Sequence, residues 1–430
     1  MPAHSSRDVK PISLDLAQQS DSQLIALLAS GKHEAPLQAY FGESEYRQLR
    51  KLAQRAIKLG KPSKARVYLL PGIMGSTLGW KSKRQSRTLW LNPQALNAGE
   101  MLSLALPAKH ALQPLGVMLS GYLKLKLHLR VAGFDVVFHP FDWRKSVIVS
   151  GKLLSQRIAR DGAKNVCIVA HSMGGLVARA ALANDTKKRI ARIVQLGSPN
   201  FGSFALVQAL RGAYPTVRKV AALDPSHTTD QLVRHVFRTL PGLYEMLPAP
   251  EHTKDLDWSQ LDSWPDDLLG PDATLLGSAT QVRAKLGAAR EGCFHIVGVD
   301  QETTTRARKG PKGLEYGITR DGDGTVPRAL AECHGAATWY VQEKHGNLTT
   351  NEIVCNAVID LLNAGRTRRL PKELPAGKRD VLRWITDTQL RRGVVGNRKG
   401  KVSWQQLPIE ERRRILEPLI SAEFHQLAIR

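Results

Sequence analysis

The sequence predicts an α/β protein with a mostly parallel central sheet and helices on both faces. Apolar runs rich in β-branched residues, which are typical of buried strands, lie at 66–70, 134–138, 166–170, 190–196, 294–299 and 338–341. Helix-forming stretches lie between them, for example at 147–160 and 176–182. Because parallel strands need crossover connections, this alternation of strand and helix indicates a parallel sheet.

Residues 165–175 combine a buried strand, a sharp turn and a helix start. The apolar run ends at Ala170 and helix formers resume at Leu176, so Ser172 lies on the turn between them. A serine in that place can expose its hydroxyl near the positive end of a helix dipole, as at a nucleophile elbow. Ala170 stands where the usual Gly-x-Ser-x-Gly pattern has glycine. The alternative is an ordinary strand–helix connection with a capping serine.

Composition limits the class of protein. The chain has 430 residues, of which 42% are hydrophobic, so we expect one catalytic domain with insertions and tails. Its four cysteines include no CxxC pair, so a disulfide framework, a metal site and a cofactor are not expected. The N-terminus has no apolar h-region, and no run approaches the ~18 apolar residues of a membrane span. We therefore expect a cytoplasmic protein, with a peripheral membrane location as the alternative.

The catalytic domain is predicted at 64–365, after a helical N-terminal extension at 1–63. Residues 78–116 read as a loop-like insertion in which aromatic and aliphatic residues are interleaved with basic ones. A lid over an apolar acyl site, or a surface that contacts lipid, has this character, and a well-packed structural excursion is the alternative. Residues 203–290 interrupt the strand–helix rhythm with helical pieces and proline-rich turns, which predicts a cap inserted between consecutive strands.

The net charge of +24 reflects 62 Lys and Arg residues against 38 Asp and Glu residues, an excess that attracts anionic lipid surfaces or nucleic acid. Residues 366–430 hold 16 Lys and Arg against 7 Asp and Glu, interleaved with Trp384 and Trp404. We interpret them as a basic helical C-terminal extension that attaches to an anionic membrane or lipid particle. No nucleic-acid-binding motif supports the nucleic-acid interpretation. A solvated helical tail that packs on the domain is the remaining alternative.

The first predicted strand runs directly into the loop 71–76, Pro-Gly-Ile-Met-Gly-Ser. A glycine-containing loop at this place in a hydrolase domain supplies the second half of an oxyanion hole. Gly72 would let the backbone approach the substrate. The amides of Ile73 and of Met173, the residue after Ser172, are therefore the candidate oxyanion donors. A plain glycine–proline turn is the alternative.

A serine hydroxyl becomes nucleophilic when an imidazole accepts its proton and a carboxylate orients that imidazole. In α/β-hydrolases the three residues follow the order serine, acid, histidine. Asp321 and Asp323 share a glycine-punctuated turn, and His345 follows the last predicted strand. His334 precedes that strand and is the weaker candidate, and His171 is interpreted as part of the elbow. The Asp-Gly-Asp-Gly run lacks EF-hand spacing, so no metal is expected there.

Four motifs in this order resemble the lecithin:cholesterol acyltransferase-like branch of the α/β-hydrolases: 71–76, 170–175 (Ala-His-Ser-Met-Gly-Gly), 322–327 (Gly-Asp-Gly-Thr-Val-Pro) and 345–347 (His-Gly-Asn). Residues 141–144, Phe-Asp-Trp-Arg, are similar to that family's Tyr-Asp-Trp-Arg. The resemblance covers roughly 64–362 and neither tail. It implies an α/β-hydrolase fold, and it implies Asp323, directly before Gly-Thr-Val, as the triad acid. The disulfides and signal peptide of secreted members are not found here.

The resemblance also implies a substrate class, because members of this branch are lipases, phospholipases and lipid acyltransferases that form an acyl-serine. We expect Ser172 to attack an ester carbonyl, His345 to move the proton and Asp323 to orient His345. Water as the acyl acceptor gives a lipase or esterase, whereas an alcohol gives an acyltransferase. An intracellular polyester depolymerase and a non-catalytic lipid-binding protein of the same fold are the other hypotheses.

Overall fold

The computed structural model describes residues 21–392, apart from 83–84, 109, 254–255, 287–288, 312 and 375–380. Helices and strands alternate along most of these ranges. The α-helices are α1 (Asp21–Ser30), α2 (Glu34–Phe41), α3 (Glu43–Lys58), α4 (Pro93–Asn97), α5 (Leu119–Val131), α6 (Val147–Arg160), α7 (Met173–Ala183), α8 (Phe204–Leu210), α9 (Pro215–Ala221), α10 (Thr229–His235), α11 (Pro241–Tyr244), α12 (Ala273–Leu286), α13 (Arg328–Ala331), α14 (Glu352–Ala364) and α15 (Asp387–Arg392).

The central sheet consists of six strands in the order β11-β8-β7-β6-β1-β5, and every neighbouring pair is parallel. The predicted α/β class with a mostly parallel sheet is therefore confirmed. The strands of the described chain are β1 (Arg66–Leu70), β2 (Ser76–Lys81), β3 (Ser86–Trp90), β4 (Gln113–Val117), β5 (Asp135–Phe138), β6 (Val166–His171), β7 (Ile190–Leu196), β8 (Cys293–Gly298), β9 (Thr303–Gly310), β10 (Gly313–Thr319), β11 (Ala337–Val341) and β12 (Arg383–Thr386).

Strand β6 lies inside the sheet, and all of its residues are buried. Cys167 pairs with Val67 of β1, and Ile168 pairs with Ile193 of β7. A strand that is covered on both faces needs apolar side chains throughout, which explains the uninterrupted apolar run. Helix α7 follows β6 directly and packs against α6, where Gly151 lies against Ala180. The start of α7 is thereby fixed at the carboxyl edge of the sheet.

Helices α1 to α3 pack on the rest of the described chain through α5. The buried residues of α3 recur at helical spacing, and they share a core with Leu123 and Leu127 of α5. Lys124, on the same helix, forms an ion pair with Glu45 of α3 at 3.1 Å. Residues 1–20 of the predicted N-terminal extension lie outside the described residues.

The insertion at 78–116 differs from the predicted loop. Strands β2, β3 and β4 form a three-stranded sheet with antiparallel pairing, and Trp90 is buried. The Trp90 indole N–H donates to the Met74 carbonyl at 2.8 Å, and the indole of Trp143 donates to the Ser76 carbonyl at 3.2 Å. The aromatic density of this segment therefore serves packing: the insertion is a structural excursion that supports the loop 71–76.

The C-terminal segment also differs from the helical prediction. Strand β12 pairs antiparallel with β10, whose hairpin with β9 completes a second three-stranded sheet. The Arg308 guanidinium lies 4.0 Å from the ring centroid of Trp384, so this tryptophan packs on the sheet. The predicted turn with Asp321 and Asp323 follows this hairpin directly, because Gly317 to Thr319 belong to β10. Residues 393–430, with Trp404 and much of the predicted basic extension, lie outside the described residues.

Helices α8 to α12 connect β7 to β8, in the stretch where the sequence predicts a cap. Their buried side chains are mainly apolar and belong to the same core as the central sheet. The cap is therefore packed on the sheet through a continuous apolar interface. No helix in the described ranges combines the length and the apolar character that a membrane span requires.

Candidate active site

Ser172 lies between β6 and α7 in a strained backbone conformation, with φ 53° and ψ −127°. A positive φ is rare for a residue with a side chain and persists only where the surrounding structure enforces it. The Ser172 amide donates to the Leu196 carbonyl at 2.9 Å, and the Gly175 amide donates to the Ser172 carbonyl at 2.9 Å. These bonds hold the turn on the neighbouring strand and on the first turn of α7. The predicted elbow geometry is therefore present.

Close backbone approach explains the glycines around this serine. A Cβ on Gly72 would lie 2.9 Å from the Ser172 Cβ, and a Cβ on Gly174 would lie 2.5 Å from the Pro71 carbonyl oxygen. Both contacts are too short for any side chain, so the loop 71–76 and the elbow can meet only at glycine. Ala170 is buried within β6, where its methyl group has room. Alanine at the usual glycine position is consequently compatible with the turn.

Asp323 and His345 are paired in the structure. The Asp323 Oδ2 lies 2.7 Å from His345 Nδ1, and the His345 amide donates to the Asp323 carbonyl at 2.8 Å. The other carboxylate oxygen accepts the amides of Thr325 at 2.9 Å and Val326 at 2.7 Å. Because a carboxylate only accepts, His345 carries its proton on Nδ1 and leaves Nε2 free to accept another. Asp323 is only 2% exposed, so this pair is shielded from water.

The two alternative residues occupy other places. Asp321 receives both ends of the Arg328 guanidinium, with distances of 2.7 and 3.1 Å. It braces its loop and does not contact His345. His334 is exposed and does not line the cavity that contains Ser172. Asp323 and His345 are therefore the candidates that the structure brings together.

Ser172 and His345 line one cavity of about 630 Å³. No hydrogen bond joins their side chains in the described part of the chain; contacts of this kind commonly tighten only when substrate binds. The cap contributes the apolar side chains of Leu206, Val217 and Phe237 to the wall. No described residue of 78–116 lines the cavity, so the predicted lid over an acyl site is not formed by that segment.

The two candidate oxyanion amides belong to the loop 71–76 and to the start of α7. Ile73 lines the cavity, and Met173 is the first residue of the helix. Neither amide has an acceptor among the described residues, whereas the Gly72 amide donates to the Tyr122 hydroxyl at 2.9 Å. Amides at a helix start and in a glycine loop can stabilise an anion. Both remain available for that role.

Tyr122 and His171 form a buried link that sequence analysis missed. The Tyr122 hydroxyl lies 3.1 Å from His171 Nδ1, and His171 Nε2 lies 3.0 Å from the carbonyl oxygen of His345. Because a carbonyl only accepts, the His171 proton lies on Nε2, and Nδ1 accepts from Tyr122. Burial lowers the pKa of His171 to about 3, reinforced by nearby His345 and opposed by the backbone hydrogen bond. The ring therefore stays neutral at physiological pH.

These hydrogen bonds connect separate loops of the site. Starting from Gly72, they pass through Tyr122 and His171 to the backbone of His345. Tyr122 lies on α5, far from every motif in the sequence, and only its place on that helix brings it here. His171 precedes the candidate nucleophile, but the sequence around it does not indicate which residues form hydrogen bonds with its ring. Within the described ranges, no group of three or more His, Cys, Asp or Glu side chains is arranged to hold a metal ion.

A parallel sheet, a strained serine at the carboxyl end of a central strand and an aspartate–histidine pair beside it define an α/β-hydrolase. Residues 131–281 match the family model described as lecithin:cholesterol acyltransferase. The protein thus has an α/β-hydrolase fold, and its residues 131–281 are similar to this family, in agreement with the resemblance of the sequence motifs. No curated protein sequence matches the chain.

The solved structures to which this chain is similar have low sequence identity to it. A chain of the Tle4–Tli4 complex superposes with a TM-score of 0.53 at 14% identity, over 71% of this chain and 100% of that one. The Bacillus licheniformis lipase BlEst2 in its propeptide form has a TM-score of 0.38 at 14% identity, over 70% and 51%. Phospholipase PlaB from Legionella pneumophila has a TM-score of 0.32 at 11% identity, over 70% and 60%.

The lowered pKa of His171 predicts acid sensitivity of the fold. The unfolded chain binds a proton on this histidine below its ordinary pKa of 6.5, whereas the folded protein does so only near pH 3. The contribution of His171 to the free energy of unfolding is therefore fully present above about pH 6.5. It decreases by about 1.4 kcal/mol per pH unit as the pH falls from there toward 3. Urea unfolding at pH 7.5 and 5.0 should show His171→Gln losing roughly 2 kcal/mol less than wild type.

The exposed His334 provides the control for this measurement. His334→Gln should keep the wild-type difference between the two pH values. A His171→Gln protein with the full wild-type pH dependence would show that the His171 ring is protonated in the folded state, contrary to this structure.

Proposed function

We propose that the protein is a serine-dependent hydrolase of lipid or other carboxylic esters that acts through an acyl-serine. The observation that carries the proposal is the Asp323–His345 pair, 2.7 Å apart, whose histidine lines the cavity that also contains the strained Ser172. The family match supports lipid ester hydrolysis or acyl transfer in general. The apolar cap wall supports an acyl chain as the group that the cavity accommodates.

In the proposed reaction, His345 Nε2 takes the proton of the Ser172 hydroxyl as Oγ attacks the ester carbonyl. The proton on Nδ1 stays bonded to Asp323, which orients the ring and stabilises its charged form. Collapse of the tetrahedral intermediate transfers the Nε2 proton to the leaving alcohol and leaves the acyl group on Ser172. Water then attacks the acyl-serine in a second cycle of the same steps and releases the acid.

The amides of Ile73 and Met173 are the proposed donors to the oxyanion of both tetrahedral intermediates. The Gly72 amide already donates to the Tyr122 hydroxyl, so it is not the proposed oxyanion donor. We therefore assign that role in the loop 71–76 to the amide of Ile73. An amide that is already oriented requires no reorganisation when negative charge develops. Tyr122 would thus act on the reaction through the loop, as a positioning residue.

Acyl transfer is the second candidate, because it shares the acyl-serine and differs only in the acceptor. The family match favours neither acceptor. Product analysis separates them: incubation with an ester and an excess of a second alcohol gives free acid from a hydrolase and a new ester from an acyltransferase. We propose hydrolysis as the main activity.

Replacing the triad residues should abolish turnover of a p-nitrophenyl ester. Ser172→Ala removes the nucleophile and should lower kcat by about 10⁴-fold or more. Asp323→Asn removes the acceptor that fixes the His345 tautomer and should lower kcat by roughly 10³- to 10⁴-fold. The matched control is Asp321→Asn, two residues away, which should retain kcat within a few-fold. Equal losses in Asp321→Asn and Asp323→Asn would contradict the assignment of Asp323.

Tyr122→Phe should lower kcat by roughly ten- to hundredfold with little change in KM. It removes the acceptor of the Gly72 amide and the donor to His171, so the oxyanion loop loses its orientation while the acyl cavity keeps its shape. Initial rates over a range of ester concentrations give the two constants. A rise in KM at unchanged kcat would instead indicate a role in substrate binding.

A further inference from the structure

The cavity around Ser172 has walls of different chemistry. The cap contributes mainly Ala205, Leu206, Ala209, Val217 and Phe237, which carry no polar side-chain atoms, together with the hydroxyl-bearing Ser203, Tyr214 and Thr216. A second wall comes from α2, α3, the start of α5 and the loop before α14. Its residues are mostly polar: besides Phe41, it contains Glu45, Ser120, Asn347 and Thr350. An acyl chain matches the first wall, and the second wall is left for another part of the ester.

Two polar atoms of the second wall have no hydrogen-bond partner in the described structure. They are the hydroxyl oxygen of Ser120 and the Oε1 of Glu45. Ser120 is only 4% exposed, so water does not readily compensate for the missing bond. A buried polar atom without a partner destabilises a fold. Such atoms are found where a ligand supplies the partner.

The charges of this wall indicate a neutral ligand group. The other oxygen of Glu45 accepts from the Lys124 ammonium at 3.1 Å, and the side chain of Lys124 is only 10% exposed. The carboxylate and the ammonium thus cancel each other beside the cavity. Lys344, which also lines the cavity, is exposed, so solvent screens its charge. A free carboxylate oxygen accepts hydrogen bonds, and a serine hydroxyl both donates and accepts.

We propose that Glu45 and Ser120 form a subsite for a neutral, hydroxyl-bearing head group, such as the glycerol of a monoacylglycerol. The head-group hydroxyls would donate to Glu45 Oε1 and exchange hydrogen bonds with Ser120, while the acyl chain lies along the cap. The ester carbonyl then lies between the two walls, beside Ser172. This inference rests on the proposed esterase function and adds the selectivity for the alcohol part of the substrate.

The test compares 1-monooctanoylglycerol with methyl octanoate, which share the acyl chain and differ in the head group. Wild type should prefer the glycerol ester. Ser120→Ala should lower kcat/KM for the glycerol ester by about tenfold and leave the methyl ester within twofold. The same variant should keep or raise the midpoint of urea unfolding, because it removes a buried hydroxyl that has no partner in the free protein. A purely structural serine would show the opposite: lower stability and equal losses on both esters.

Two control substitutions change residues that do not line the cavity. One lies on α6, and the other lies on α3, the helix of Glu45. Ser155→Ala removes a hydroxyl that bonds to the Asn184 carbonyl, and Glu43→Gln removes the partner of Arg47. Both should leave the preference between the two esters unchanged. Equal kcat/KM of wild type for both esters, or an unchanged preference in Ser120→Ala, would overturn the subsite alone. No turnover of either ester by wild type would overturn the proposed function as well.

Discussion

The positive φ of Ser172 is the constraint on which the rest of the site depends. It turns the chain from β6 into α7 within one residue, and only the close approach of glycines such as Gly72 and Gly174 permits the turn. The cost of this strain is of the order of 1–3 kcal/mol, which the fully buried strand and the apolar core offset. The same approach brings the loop 71–76 beside the serine. The proposed nucleophile and the proposed oxyanion donors are therefore positioned by one contact.

The neutral His171 connects the contact between Ser172 and the loop 71–76 to the Asp323–His345 pair. His171 joins the Tyr122 hydroxyl to the backbone of His345, and Tyr122 joins the loop through Gly72. Burial keeps the ring unprotonated, so its pattern of one donor and one acceptor is preserved at neutral pH. The two histidines thus have different places in the proposed mechanism: His171 maintains the geometry of the site, and His345 transfers the proton.

Local patterns predicted the sheet well, because each of its strands is a short apolar run and each site loop follows one. The same signals pointed to Ser172 and His345, whereas the choice of Asp323 over Asp321 came from the family resemblance. Features that depend on packing between distant segments were not predicted. From the sequence, Trp90 belongs to a predicted lid. In the structure its indole N–H donates a hydrogen bond to the backbone of the loop 71–76. Tyr122 has no local signal at all, because its role comes from where α5 lies.

The most direct test of the central claim is covalent labelling of wild-type protein with a fluorophosphonate, followed by intact-mass measurement and peptide mapping. The account predicts one adduct per chain, on Ser172, since it proposes this serine as the nucleophile of the cavity that His345 also lines. An adduct on a different residue, or no adduct on folded protein even with lipid vesicles present, would contradict the assignment of Ser172 as the nucleophile.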